Sequence, residues 1–288
     1  MSRKNLYDRV AEETASVVIS RYSTSFGLAS RLLDDSVKQH VKNIYALVRV
    51  ADEIVDGAAE EAGVDSLGAG RILNELERET ERAMDCGFSS NLVVHAFALT
   101  ARETGFGAEL TKPFFESMRV DLNATEHDQA SFDLYVYGSA EVVGLMCLRA
   151  FLRGTNTAFD QVTEFEKGAR ALGAAFQKVN FLRDLAADFD TLGRSYFPNV
   201  SVESFTEEDK NRLLDDIDND LRVSAVTVAL LPAGSRRAVA LAHGLFAELS
   251  TRLRATPADE LRRKRVRVPN PVKLRIATGA VLGRNPRT

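Results

Sequence analysis

The sequence predicts an all-α fold, and three observations carry that reading. Nine segments repeat apolar residues at i, i+3 and i+4, the spacing that gathers side chains onto one helical face. The breaks between them are dense in Gly, Asn, Asp and Ser. No stretch sustains the alternation of a β-strand.

The elements follow in order. Helices are expected over 7–20 and 36–57, the second ended by "GAAEEAGVDSLGAG" (57–70). Two more cover 70–85 and 89–104, closed by "TGFG" (104–107). A helix over 111–122 stops at "NATEHDQ" (123–129), and one over 131–152 stops at "RGTN" (153–156). The next, 161–188, opens on Thr163 and Glu166, which have the spacing of a capping box. After "DTLGRSYFPNV" (190–200) comes 207–230, where Thr206 precedes three acids that the helix dipole favours in a first turn. The series ends with 235–255. No fixed-period repeat and no linker divides the chain, so one domain over 1–288 is expected, with a basic tail from about 261.

Composition narrows the function. The 288 residues are 45% hydrophobic and 27% charged, ordinary for a globular chain with a sizeable core. No uninterrupted apolar run approaches the roughly 18 residues that suggest a membrane-spanning helix. The N-terminal stretch has no signal-peptide pattern. Cys86 and Cys147 are the only cysteines and have no metal-site spacing, which fits a cytoplasmic protein. Four scattered histidines make zinc chemistry a poor fit.

Charge is unevenly placed. Nine Lys and Arg follow Glu260 with no acid among them, which leaves −13 on residues 1–260 from a net of −4. The dense part, "RRKRVRVPNPVKLR", reads as a solvated or disordered tail, or as a site for an anionic membrane surface or anionic ligand. The acidic body argues against nucleic acid.

The strongest chemical signal is a repeated pair of aspartates. "VRVADEIVDGA" sets Asp52 and Asp56 four apart, with Glu53 adjacent and Arg49 one turn earlier. "KVNFLRDLAAD" sets Asn180, Asp184 and Asp188 on one stripe, with Arg183 alongside and Val179, Phe181 and Leu182 to bury. Like charges at i, i+4 repel by a few tenths of a kcal/mol even in the open, and burial makes this worse unless a cation compensates. One such pair is most often a solvated face. Two, on apolar helices and each beside an arginine, point instead to Mg²⁺, which takes oxygen ligands from one or two carboxylates and from phosphate. Arginine adds bidentate contacts to the same phosphate oxygens. A di-iron bundle is the competing use of inward carboxylates, but it expects Glu-x-x-His pairs and none is present.

"RVADEIVD" and "FQKVNFLRDLAADFDTLGRSYFP", with "YSTSFGLASRLL" and "YVYGSAEVVGLM", resemble the squalene and phytoene synthase family of head-to-head prenyl transferases, in that family's order and spacing. The likeness is greatest to bacterial phytoene synthases. It implies an isoprenoid-synthase-type helical bundle around a central cavity. It also implies that Asp52 and Asp56 form one Mg²⁺-binding pair and Asp184 and Asp188, with Asn180, the other. By the same resemblance Ser23, Ser25, Arg49, Gln177, Asn180, Arg183, Arg194 and Tyr196 bind the diphosphates, and Tyr135 lies near the reacting carbons. Mg²⁺ is the expected ion, with Mn²⁺ as a substitute.

The resemblance implies that two prenyl diphosphates combine through a cyclopropyl diphosphate intermediate. For phytoene synthase the substrate is geranylgeranyl diphosphate, and NADPH is not expected. The alternatives are squalene or dehydrosqualene synthase acting on farnesyl diphosphate, a non-catalytic scaffold relative, or a structural helical protein. Carbocations need dry walls, expected from Phe26, Leu33, Val142, Val143, Leu145, Met146 and Phe181. Gly138, Ala140, Gly144, Gly173 and Ala174 either leave room for long chains or let helices pack closely. Three positions depart from the family pattern: Glu141 where a small residue is usual, Thr24 where a basic one is, and Tyr22 where His is common.

Overall fold

The structure, a computed structural model, describes residues 2–23, 25–123, 126–192, 196–198, 200 and 204–283, without the side chains of residue 25 and residues 186–192. All regular elements among them are helices: α1 (Arg3–Tyr22), α2 (Ser25–Ser30), α3 (Asp35–Val55), α4 (Ala58–Glu61), α5 (Ser66–Cys86), α6 (Leu92–Thr104), α7 (Ala108–Asp121), α8 (Gln129–Val136), α9 (Val142–Leu152), α10 (Phe159–Leu192), α11 (Glu207–Val228), α12 (Ala233–Ala255), α13 (Ala258–Leu261) and α14 (Asn270–Val281). A π-helical turn, Tyr137–Glu141, joins α8 to α9 without a break.

Each of the nine expected helices is present, and α2, α4, α13 and α14 are additional. Local chemistry sets several ends. Asn91 accepts from the Val93 and Val94 amides at the start of α6, and Gly105 ends that helix in the left-handed region. Thr206 and Asp209 form a reciprocal capping box at the start of α11. The corresponding expectation for α10 fails. That helix already begins at Phe159, so Thr163 lies inside it and returns its hydroxyl to the Phe159 carbonyl at 3.4 Å.

Two large apolar clusters form the interior. One gathers Ile44, Leu47, Phe97, Phe114, Phe115, Val142 and Met146 from α3, α6, α7 and α9. The other gathers Phe132, Tyr135, Phe181, Leu182, Tyr196, Leu214 and Ile217 around α8, α10 and α11. Burial at roughly 25 cal/mol per Å² of apolar surface drives both. Gln129–Leu152 is long and apolar enough to cross a membrane by length and composition alone, but half of its most apolar window is buried and it belongs to both clusters. It is a core helix.

The small residues resolve in favour of close packing. A Cβ on Gly138 would lie 2.1 Å from the Pro113 carbonyl oxygen, one on Gly144 2.6 Å from that of Ala169, and one on Gly173 2.6 Å from that of Ala140. These glycines bring α10 and α7 against the α8–α9 rod, and the space they leave is filled by backbone.

The described part of the basic tail packs on the body. Buried Lys210 donates to the Arg254 and Thr256 carbonyls at 3.2 and 2.7 Å and pairs with Glu207 at 2.6 Å. Glu207 also accepts from the Ala258 amide, which seats α13. From there Val266 and Val268 pack on the second cluster, and α14 lies on α12 through Ile276, Ala277 and Ala280.

Candidate active site

The first aspartate pair ends α3. Asp52 is in its last turn and Asp56 is the residue that caps it, its amide donating to the Asp52 carbonyl. That end carries the negative pole of the helix and no basic residue in its last turn, so acids are unfavourable there. Asp52 registers the strain. Burial, with repulsion from Asp56 and Glu53, pushes its carboxyl up to about 7 despite Arg49 nearby.

Glu53 has its own partners. It is ion-paired with Arg49 and accepts from the Ala58 amide at 3.2 Å, which ties α3 to α4. Arg49 also lies over the Tyr22 ring, 4.6 Å from its centroid, so the residue in place of the usual His contributes a cation–π contact. Its Nε is buried and has no hydrogen-bond partner among the described residues. A donor left in that condition is suited to an anion. Ser23 is hydrogen-bonded to Tyr45, whose phenol feels the charges of Arg49 and Asp52.

The second pair lies on α10. Arg183 Nε is 3.0 Å from Asp184 Oδ1. Arg265 Nε is 2.7 Å from the same oxygen, and its terminal nitrogen is 3.2 Å from Oδ2. Asn180 and Gln177 are half-buried one and two turns earlier on α10. Asp188 continues the stripe on the α10 backbone; its side chain, that of Ser25, and the whole of Arg194 lie outside the described residues, as does Thr24.

An aromatic cluster gathers around Tyr135. The buried Tyr135 donates to Asp121 Oδ1 at 2.7 Å, and its ring is 5.6 Å from Tyr196 and 5.9 Å from Phe181. Phe181 and Tyr196 stack at 4.0 Å with ring planes 10° apart. Phe181 is three residues before Asp184. At the other end, the Asp56 charge helps hold the Tyr135 phenol well above its ordinary range, after burial and Asp121. Tyr135 therefore stays protonated. His127 completes the cluster, 5.1 Å from Tyr135, with its Nδ1 buried and lacking a partner among the described residues.

Phe26 and Phe176 belong to a separate ring packing: Phe176 stacks on Phe246 at 3.9 Å and meets Phe26 edge-on at 5.7 Å. Glu141 is turned to a basic partner, accepting from Arg170 Nε at 2.6 Å, while the Arg170 guanidinium lies over Tyr137.

Residues not singled out from sequence also enter the site. Asp121 gave no periodic signal, and Arg265 was hidden among the tail's other cations. No three His, Cys, Asp or Glu side chains among the described residues converge into a metal cluster. A groove of about 490 Å³ on the outer face of α5, lined by Arg71, Asn74, Glu75, Glu77 and Arg78, is a solvated charged face away from this chemistry.

The sequence profile of the Squalene/phytoene synthase family matches residues 19–271. The chain belongs to that family. Its members are head-to-head prenyl transferases. Phytoene synthase 3, chloroplastic, of Zea mays is 31% identical over 190 residues, 65% of this chain and 42% of the maize protein. The 15-cis-phytoene synthase of Enterobacter agglomerans is 24% identical over 255 residues, 80% of this chain and 82% of that one. Several of the curated relatives, the maize enzyme among them, are thus matched over less than two thirds of their length. Among solved structures, a dehydrosqualene synthase in complex with ligand superposes with a TM-score of 0.77 over 96% of this chain and 97% of its own, at 21% identity. That likeness establishes the all-α isoprenoid-synthase fold.

Proposed function

We propose that this protein joins two molecules of geranylgeranyl diphosphate head to head, giving phytoene by way of a cyclopropyl diphosphate. The observation that carries the reading is the pair of aspartate stripes. The Asp56 charge reaches Tyr135 of the aromatic cluster, Asp184 and Asp188 follow Phe181 of the same cluster along α10, and Arg49 in the first stripe and Arg183 and Arg265 in the second support the reading. The phytoene synthases among the relatives favour the C20 substrate.

Divalent cation chemistry fits these residues. The donors are hard oxygens, Asp52 is short of positive charge, and Arg49 keeps a buried donor without a partner. Asp52 and Asp56 would hold Mg²⁺ or Mn²⁺ on one side, and Asn180, Asp184 and Asp188 on the other. Bound there, the ion neutralises charge on the leaving diphosphate. Arg49, Arg183 and Arg194 bind diphosphate oxygens, with Gln177, Tyr196, Ser23 and Ser25 as further polar contacts.

The first substrate loses diphosphate to become an allylic cation. The double bond of the second attacks it, and loss of a proton closes the cyclopropane. A second ionisation, rearrangement and proton loss give the linear product. The buried face of Tyr135, held by Asp121, gives the passing cation an aromatic quadrupole worth up to about 2 kcal/mol when desolvated. Phe181, Val142 and Met146 exclude water. Coupling of two geranylgeranyl groups requires no reductant, so NADPH has no part in this reading. Long prenyl substrates and products also argue for work at a membrane surface.

Incubating the purified protein with Mg²⁺ and either geranylgeranyl or farnesyl diphosphate, and identifying products by mass, tests the reading. A C40 hydrocarbon from the first is expected. A C30 hydrocarbon from the second alone transfers the assignment to dehydrosqualene or squalene synthesis. No coupling with either removes the enzyme and leaves a scaffold relative.

A further inference from the structure

The tail sorts its residues by face. Val266 and Val268 turn inward against the second cluster, while Arg263, Lys264 and Arg267 are exposed. None of these three cations, nor Lys273, has an acidic partner among the described residues, and no acid follows Glu260 in the sequence. Next, α14 presents two opposite stripes. Ile276, Ala277 and Ala280 pack on α12, in the cluster that also holds Ala29 of α2. Leu274, Thr278, Val281 and Leu282, spaced at i, i+4, i+7 and i+8, face away, and exposed Arg275 beside them reaches back to Glu248 of α12 at 3.7 Å. Leu274 is 69% exposed and Leu282 72%, although the helix is fixed from behind.

We propose that this outer stripe of α14, with the basic strand leading into it, docks the protein on an anionic lipid bilayer. Large exposed aliphatic side chains ringed by cations are what a peripheral membrane helix presents, apolar contact and attraction to anionic headgroups acting together. Charge decides the occupant. A second copy seated on the same face would oppose cation with cation across a twofold axis. Nucleic acid would meet a body carrying −13 over residues 1–260, whereas a flat bilayer meets only the basic face and is turned away by the rest. The face also borders the candidate site. Arg265, between exposed Lys264 and inward Val266, contacts Asp184, and the cluster that seats α14 also seats α2. A docked molecule would thus hold its diphosphate site close to the headgroup layer, the level at which a membrane-dissolved prenyl diphosphate carries its charge.

This inference rests on the reading that the substrates are long-chain prenyl diphosphates, but its test uses none. The full chain is sedimented with phosphatidylcholine vesicles and with vesicles containing about one third phosphatidylglycerol. Binding to the second only, weakened by 0.5 M salt, is expected. Arg263→Gln, Lys264→Gln and Arg267→Gln combined should weaken it roughly 100-fold, each cation near the surface contributing about 1 kcal/mol. Leu274→Ser should weaken it about tenfold, the loss of one buried aliphatic side chain, without changing the salt dependence. Circular dichroism should be unchanged in both variants, and turnover in detergent micelles should match wild type. Equal binding to both vesicle types, no binding, or an unaffected triple variant overturns the proposal. A concentration-dependent dimer abolished by Leu274→Ser also overturns it, by giving the face to a second copy.

Discussion

Arg265 shares the carboxylate of Asp184 with Arg183, its Nε 2.7 Å from Oδ1, across 81 residues of sequence. A segment that composition marks as a solvated tail thereby supplies a cation to the second aspartate stripe. The Arg265 side chain is about half exposed, so the pair adds at most about 1 kcal/mol to stability. Its removal should be felt by ligand. Arg265→Gln is expected to move the thermal midpoint by no more than about 2 °C and to raise the KM for prenyl diphosphate roughly tenfold or more. A KM equal to wild type would reduce Arg265 to a surface counter-ion.

Tyr135 and Asp121 form a buried couple. Tyr135→Phe strips the hydrogen bond from a buried carboxylate and should cost about 1–3 kcal/mol, or roughly 2–6 °C in the midpoint of a chain this size. Asp121→Asn keeps an oxygen that can accept from the phenol and should cost less than Asp121→Ala. Thermal melts of the three variants, with turnover beside them, check this. If Asp121→Asn and Asp121→Ala are equally destabilised, the phenol is not what Asp121 serves.

Asp52 gives a dependence on pH and metal. Its carboxyl is raised to about 7 in the folded chain, from an ordinary value near 4, so the folded form prefers it protonated. The stability it contributes is present below about pH 4 and is lost as pH rises through 7. In metal-free buffer Asp52→Asn should therefore melt above wild type at pH 8, with the gap closing toward pH 5. Mg²⁺ should raise the wild-type midpoint at pH 8 by more than that of the variant, which keeps only the Asn180, Asp184 and Asp188 set. His40, His127 and His243, all depressed by burial, act oppositely: their stability is present above about 6.5 and falls as pH drops. They are common to both proteins and cancel in the comparison. Equal melting of wild type and variant at pH 8 would contradict the assignment.

Two glycines separate close packing from free space. Gly138→Ala would drive a methyl to 2.1 Å from the Pro113 carbonyl and the Ser117 hydroxyl, and should destabilise by about 1–3 kcal/mol or more. Gly27→Ala, in α2, meets only the Ile19 carbonyl at 3.8 Å and should be neutral or stabilising by up to about 1 kcal/mol. Denaturant midpoints for both decide it; a well-tolerated Gly138→Ala would reopen the idea that this position leaves room for substrate.

The long helices were legible because their apolar period persists for many turns. What escaped was short or masked by composition. "SFGLAS", "AAEE" and "ADEL" are too brief to show a period, and α14 is dominated in sequence by its prolines and cations. The π-turn at Tyr137–Glu141 changes the residues per turn by too little for a periodic reading. The aspartate stripes were legible because i, i+4 spacing is a local property. The Asp184–Arg265 and Tyr135–Asp121 contacts were not, since tertiary folding alone brings those residues together. Glu141, anomalous in the sequence, is explained by Arg170.

The central claim is that both aspartate pairs serve one reaction. Its most direct test is the steady-state coupling of geranylgeranyl diphosphate with Mg²⁺ by Asp52→Asn and Asp184→Asn beside wild type, with helical content checked by circular dichroism. Each variant is expected to lose roughly 100-fold or more in turnover, the scale seen when one electrostatic group is removed from a reacting centre, with its helices intact. Near-normal turnover in either one would contradict the account.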